Sequence, residues 1–518
     1  MSQFRASAIA RFIASFRPRP RRAETRVRPR TLVLEKLEDR CLLTTFTVTN
    51  TNDTGGGSLR SAIDKANTEG GEDKIVFESS VLGKTIQIGS SLPALTDDVI
   101  IQAKKSGVAV DGQDIAGVRP FEISAGATVT LKKLTITGGN LTINGDFGGG
   151  ILNEGTLKLQ KCTVTGNHST FGSGGILTRS GSVLTVAKSS VSNNSSGIHG
   201  GGIFVSSSQA TITKSNIFGN RANSSGGGIR VIATDNESAA LTVSDSTIAG
   251  NYAQSNGGGI ITTDSGTSLG VTLLIERSTI SGNLSRASGG GLFNDAPGTF
   301  TIENSTFAHN LADSAALGGG AFHSSDGTFD ILNATIARNS ASNSGGGIRQ
   351  TGGTINLNNS ILSENFANSN DERETTAGTF NNDSSLEGGS PQLGPLQNNG
   401  GPTQTMLPLS GSPVIDAGSD ALANTAGLTT DQRGNGFDRI VGTVDQGATE
   451  RQSGEPLPLQ ESTTRRERRR GERNNSPSVV SNSFEPDLAF AAAVMNQDRA
   501  ITQHQTALQA AFAEFGAL

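Results

Sequence analysis

The sequence predicts an all-β chain folded as a single-stranded right-handed parallel β-helix of about nine or more three-strand rungs, and three observations carry that expectation. A glycine pair or triplet followed by an apolar residue recurs eight times between residues 148 and 347, ending at Gly150, Gly175, Gly202, Gly228, Gly259, Gly291, Gly320 and Gly347. An asparagine follows each about 20 residues later, giving Asn167, Asn194, Asn220, Asn251, Asn283, Asn310, Asn339 and Asn365. Between them, an apolar-x-apolar pair such as Leu157 and Leu159, or Leu184 and Val186, is followed at a constant spacing of five by one more apolar residue: Val164, Val191, Ile217, Ile248, Ile280, Phe307, Ile336 and Leu362. A fixed period of this kind means one structural unit stacked on itself. Short runs alternating with period two between Gly, Asn and Ser turns read as strands, not helices.

The leader comes first. Residues 1–45 hold 11 basic and 4 acidic residues, and their longest apolar stretch, Ala6 to Phe16, is broken by Arg11. That composition departs from an ordinary secretory signal, which needs an unbroken apolar centre. Residues 46–128 read as an N-terminal cap and first coils. Phe46 to Asn50 is a strand, Asp53 to Gly57 a turn, and Ser58 to Asn67 an amphipathic helix with Ser58 as N-cap, an element suited to covering the open end of a solenoid.

The regular repeats occupy residues 129–370. Only the stretch after the glycine strand varies, from 9 to 16 residues, so insertions fall on one corner; the longest, Arg230 to Ala240 and Ile261 to Val271, are the expected contact loops. Asn is expected to tolerate a left-handed corner and to form a turn ladder by stacking its amides along the rod. A serine column (Ser189, Ser215, Ser246, Ser278, Ser305, Ser360) begins at Cys162, and small side chains suit a crowded corner. Nine rungs at about 4.8 Å each would make a rod of roughly 43 Å.

After Asn365 the repeat decays into an end module, residues 371–450. A polar, arginine-rich linker follows over 451–483, and 484–518 carries Leu488, Ala491, Met495, Ile501, Leu508, Phe512 and Phe515 at helical spacing, an amphipathic tail.

Composition narrows the function. Residues 46–450 hold 23 basic and 35 acidic residues, so the rod is acidic and does not attract nucleic acid through bulk charge. No apolar run reaches the 18 or so residues of a membrane span. The two cysteines, Cys41 and Cys162, make no disulfide framework.

Candidate sites come from aligning the coils. Two residues past the apolar pair stand Lys133, Lys161, Lys188 and Lys214, then Asp245, Arg277, Asn304, Asn333 and Asn359. The four lysines with Arg277 are a candidate basic strip for an anionic glycan; the alternative is flexible lysines fanned into water. Glu276 and Glu303 neighbour one another one position earlier and are the weak catalytic alternative. Asp431, Asp438 and Asp445 are the candidate calcium ligands, with turn-capping as the competing role. The five histidines fall in different columns, so no triad or metal spacing emerges. No cofactor is expected, calcium excepted. With no Trp and one Tyr, Tyr252, the chain lacks the aromatic platforms of sugar-cleaving clefts.

The segment Leu34-Glu35-Lys36-Leu37-Glu38-Asp39-Arg40-Cys41-Leu42-Leu43 resembles an element of planctomycete extracellular proteins, which implies export, with processing near Arg40 to Thr45. The strand-turn-helix start is similar to the cap of bacterial surface β-helix proteins. Asn399-Gly400-Gly401-Pro402-Thr403, Ser412-Pro413-Val414-Ile415-Asp416-Ala417-Gly418, Asp431-Gln432-Arg433-Gly434 and Gly447-Ala448-Thr449-Glu450 resemble, in order, the choice-of-anchor Q type of C-terminal module, with Thr449 in the place of the usual Phe. The repeats also resemble those of polymorphic outer-membrane adhesins, and Phe307 to Asn310 matches their F-x-x-N motif. These resemblances imply a secreted, cell-surface or outer-envelope protein with a non-catalytic adhesion or structural role, touching an extracellular polysaccharide or surface protein. The rival is a polysaccharide lyase or hydrolase on the same scaffold. Oligomeric state is not legible.

Overall fold

The computed structural model describes residues 44–142, 147–179, 181–234 and 236–455. The leader through residue 43 and the arginine-rich and helical segments from residue 456 onward lie outside these residues. The chain winds into four parallel sheets of 13, 12, 10 and 8 strands, here A, B, C and D. One coil shows the order: Ile151–Asn153 in C, Thr156–Gln160 in A, Thr163–Thr165 in B, His168–Ser169 in D, then Ile176–Thr178 in C again. Sheets A, B and C are the three expected strands. Sheet D adds a two-residue ladder directly after each asparagine from Asn167 to Asn339, too short to leave an alternation in the sequence. Stacking also runs past residue 370, with Arg373–Thr375, Thr379–Asp383 and Leu386–Glu387 completing a further coil.

Register is kept residue by residue. Leu157 pairs with Leu184, Leu184 with Ala210, Ala210 with Leu241, Leu241 with Leu273, Leu273 with Phe300 and Phe300 with Phe329, so each interior position is a column of like side chains. Phe300 and Phe329 stack with ring centroids 4.6 Å apart. Alternation puts the intervening residues outside, where sheet A presents Thr185, Thr211, Thr242 and Thr301.

Polar ladders close the corners. From Asn167 to Asn339, each ladder asparagine donates from Nδ2 to a carbonyl of the preceding coil and to Oδ1 of the next asparagine, as Asn283 does to Ile248 (2.9 Å) and Asn310 (2.9 Å). Its backbone N–H donates to that same Oδ1 (Asn283 to Asn310, 3.1 Å). The left-handed conformation expected of these asparagines belongs instead to the residue before each: Gly166, Asn193, Gly219, Gly250, Gly282, His309, Arg338 and Glu364 have φ of 53–66°. The asparagine must aim its amide inward to bridge coils, so its neighbour makes the bend. The serine column does more than fill space. The Ser189 N–H donates to Ser215 Oγ (3.0 Å), Ser215 to Ser246 (3.1 Å), Ser246 to Ser278 (3.1 Å) and Ser278 to Ser305 (3.1 Å), satisfying corner amides that strand pairing cannot reach.

At the start, strand Thr45–Val48 leads to helix Leu59–Ala66, which buries Leu59, Ala62, Ile63 and Ala66 over the first coils. Ser58 Oγ accepts the Ser61 N–H at 3.2 Å, the cap expected from the sequence. No helix among the described residues is long and apolar enough to cross a membrane.

The end module lies along the flank of the rod, on the outward face of sheet B. Ala308, Ala337 and Ile361 of that face form a small core with Leu393, Met406 and Val414. Thr306 Oγ1 donates to Gln432 Oε1 (2.6 Å), and the Ala448 N–H donates to Thr335 Oγ1 (2.9 Å). Two fully buried arginines lock the module. Arg433 pairs with Asp431 (2.7 Å) and Glu455, and Arg439 pairs with Glu450 (2.9 Å) while donating to carbonyls of Asp445 and Gly447. The Glu450 N–H donates to Asp431 Oδ2 (2.9 Å), so the Asp431 to Gly434 and Gly447 to Glu450 motifs interlock.

Candidate functional site

The corner between sheets A and B holds the column of candidate residues. Lys133, Lys161, Lys188, Lys214, Asp245, Arg277, Asn304, Asn333 and Asn359 all adopt φ of 44–56°, the left-handed bend that turns the chain from one sheet into the next. Their N–H groups stay in the ladder, as Lys161 donates to Ala187 O and Lys188 to Thr213 O, both at 3.0 Å. The backbone therefore fixes where each side chain leaves the rod. Lys161, Lys188 and Lys214 are exposed and Lys133 half-buried. Among the described residues none of the four takes part in an ion pair.

Farther along, the column changes chemistry. Arg277 is not a free member of the strip: it holds Asp245 (2.8 Å) and Glu276 (3.0 Å). Asn304, Asn333 and Asn359 are buried under the end module. Asn304 Nδ2 donates to Thr430 O (3.0 Å), Asn333 to Asp445 O (3.3 Å) and Asn359 to Ser419 O (2.9 Å). A lysine at these three positions would bury an ammonium where the asparagines now donate to backbone carbonyls, so Asn marks the coils on which the module covers the corner side chain.

Glu276 and Glu303 pair directly across adjacent coils and are both half-buried. Burial, then the charge of Glu276, pushes the Glu303 carboxyl above its ordinary value, with Arg277 opposing. In the column itself they are flanked by Ser244 and Leu332, and the nearby Asp245 is held by Arg277. Asp431, Asp438 and Asp445 do not converge. Asp431 serves Arg433 and two backbone amides, and Asp445 accepts from the Asp416 and Arg451 N–H groups, both at 2.7 Å. The Asp438 carbonyl accepts from Gln452 Nε2 (2.9 Å). No group of three His, Cys, Asp or Glu residues among those described is placed to hold a metal ion.

One acidic ladder escaped sequence reasoning. Asp264, Asp295 and Asp326 come from successive coils, and burial, then the charges of Asp264 and Asp326, raises the Asp295 carboxyl. They stand in the variable stretch after the glycine strand, so sequence spacing does not align them.

The family model for the right-handed β-helix region matches residues 94–269. This is a right-handed parallel β-helix. No curated protein matches the chain. Among solved structures the chain is similar to pectate lyase Pel9A, at 14% identity and a TM-score of 0.40, over 79% of this chain and 96% of that one. A likeness at that level carries no argument about chemistry.

Proposed function

We propose that this β-helix is a secreted or surface-displayed, non-catalytic binding protein with an adhesion or envelope-structural role, which holds an anionic polysaccharide along the corner between sheets A and B. The observation that supports it is the column of Lys133, Lys161, Lys188 and Lys214, set one coil apart on a fixed left-handed backbone and left open where the end module stops. Unit charges about 4.8 Å apart repel by about 1 kcal/mol in water, so the row is tolerable when solvated and becomes favourable against a chain of anions. Binding of this kind weakens steeply with salt.

The test is retention of the full-length protein on anionic and neutral polysaccharides, with and without calcium, while scoring new reducing or unsaturated ends. Salt-sensitive retention on anionic chains, lost in a Lys161→Ala and Lys188→Ala double variant, is the expected result. The half-buried Glu303 beside Glu276 supports the rival lyase or hydrolase reading. Product formation that disappears in Glu303→Gln would overturn the non-catalytic assignment. Retention that depends on calcium and survives the double lysine variant would move the contact away from this corner.

A further inference from the structure

The outward face of sheet C carries a cation without a counter-ion. Most arginines on this flank are matched: Arg119 with Glu122 (2.5 Å), Arg179 with Glu154 (2.8 Å), Arg349 with Glu374 (3.1 Å) and Arg373 with Glu387 (2.9 Å). Arg230 is the exception. It sits in register between Phe204 and Ile261 on neighbouring coils, and among the described residues no carboxylate lies within ion-pairing distance of it. Its Nε is shielded from water and has no hydrogen-bond partner. Its guanidinium lies 5.6 Å from the centroid of the Phe204 ring. Burial lowers its pKa to about 10.

Among the described residues it hydrogen-bonds to His199, from the glycine loop of the preceding coil, whose Nδ1 stands 3.3 Å from Arg230 Nη1. Arginine has only donors, so Nδ1 must be the acceptor and the ring proton resides on Nε2. Burial and the Arg230 charge push the His199 pKa down to about 4, which keeps the ring neutral in that tautomer. His199 and Phe204 meet edge to face at 6.5 Å. Arg230, His199 and Phe204 are all half-buried, so solvent still reaches the group. The group thus presents donors and an aromatic face, with no carboxylate among the described residues to meet the charge.

We propose that Arg230, His199 and Phe204 form a binding site for an organic carboxylate, the carboxylate lying against the Arg230 guanidinium and the carbon skeleton against Phe204. Guanidinium and carboxylate match in shape and bond through two charge-assisted hydrogen bonds. The group stands at the base of the Arg230 to Ala240 insertion, on a different corner from the lysine column, so it is independent of the polysaccharide reading. The carboxylate can belong to a sugar acid or to a free organic acid, and the probes below separate the two.

The experiment is calorimetric titration of the full-length protein at pH 7 and low salt with sodium D-glucuronate, sodium acetate, and sodium chloride as control. Saturable one-site binding of glucuronate in preference to acetate would assign a sugar acid; equal binding would assign a free organic acid. Either should weaken at least tenfold in Arg230→Met, and less in Arg230→Lys, which keeps the charge without the fork. Nitrogen-15 NMR of labelled histidine supplies a readout that needs no variant: a bound carboxylate offsets the Arg230 charge and raises the His199 pKa. Absence of saturable heat with both acids, or an unshifted His199 titration at saturating ligand, overturns the proposal, as does undiminished affinity in a folded Arg230→Met.

Discussion

Removing one rung of the asparagine ladder should cost more than any surface change on this protein. In Asn283→Ala four hydrogen bonds disappear: Asn283 Nδ2 to Ile248 O, Nδ2 to Asn310 Oδ1, and those that Oδ1 accepts from the Asn251 N–H and Asn251 Nδ2. Asn251 Nδ2 still reaches Ile217 O, and Asn310 Oδ1 still receives the Asn283 N–H. The groups left without a partner are the Asn251 N–H, one hydrogen of its amide, and the added bond on Ile248 O. Asn283 is fully buried, so water cannot replace what is lost. At about 1–3 kcal/mol for each orphaned group, with partial relaxation, the loss should be about 3–6 kcal/mol. Asn283→Asp should be at least as damaging, since its second oxygen would face the acceptors Ile248 O and Asn310 Oδ1. The assay is urea unfolding of the full-length protein with hydrogen exchange read coil by coil, because a stacked repeat opens locally and a single midpoint understates the effect. Exchange should accelerate first at Asn251 and in the two coils around it. A change in stability below about 0.5 kcal/mol, with exchange at Asn251 unaltered, would refute the idea that the ladder holds the corner.

Two further outcomes follow from the same structure. Arg439→Met strips Glu450 of a buried cation and leaves carbonyls of Asp445, Gly447 and Thr449 short of a donor, so it should cost about 3–5 kcal/mol; limited proteolysis should then release peptides from residues 388–455 before the coils are cut. Glu372, which accepts from the Asn365 amide (2.8 Å) at the ladder's end, has its carboxyl pushed up to about 7 from 4.5, mainly by burial. The folded state therefore keeps a proton that the unfolded chain releases, and stability should fall as pH rises from about 4.5 to 7. Urea midpoints across that window should fall less steeply in Glu372→Gln than in wild type, the remainder coming from Glu450, whose carboxyl burial also pushes up to about 7.

What the sequence revealed and what it hid divide along one line: contacts that repeat at the coil period leave a trace, and contacts made once do not. The Asn and Ser columns, the interior aliphatic columns and the lysine corner all recur at equivalent positions, so they can be read without coordinates. Even there, the side chain was easier to read than the backbone. Gly166, Gly219, Gly250 and Gly282 take the left-handed bend beside the asparagines, yet Asn193, His309, Arg338 and Glu364 take it in other coils, so no single residue type marks the position. The Arg230 and His199 pair is 31 residues apart across a corner of changing length, and nothing periodic joins them. The flank docking of the end module is equally aperiodic, since Thr306 meets Gln432 across 126 residues.

That docking nevertheless left one mark within the repeat, and it bears on function. The A–B corner column is Lys on four successive coils, charged but internally paired at Asp245 and Arg277, and Asn on the three coils where the module buries the column side chain itself. All nine share the same backbone bend, so backbone strain does not dictate the change. What differs is whether the corner faces water or protein. Where it faces protein, a compact amide that both donates and accepts is needed: Asn359 does both with Ser419, at 2.9 and 2.7 Å. Where it faces water, a neutral amide would serve the turn as well as a lysine does, since αL tolerance favours Asn at such a bend. Under the proposed reading the four lysines, at positions where Asn fits the backbone better, serve an anionic chain outside the protein; the Lys161→Ala and Lys188→Ala double variant separates that role from lysines that only meet water.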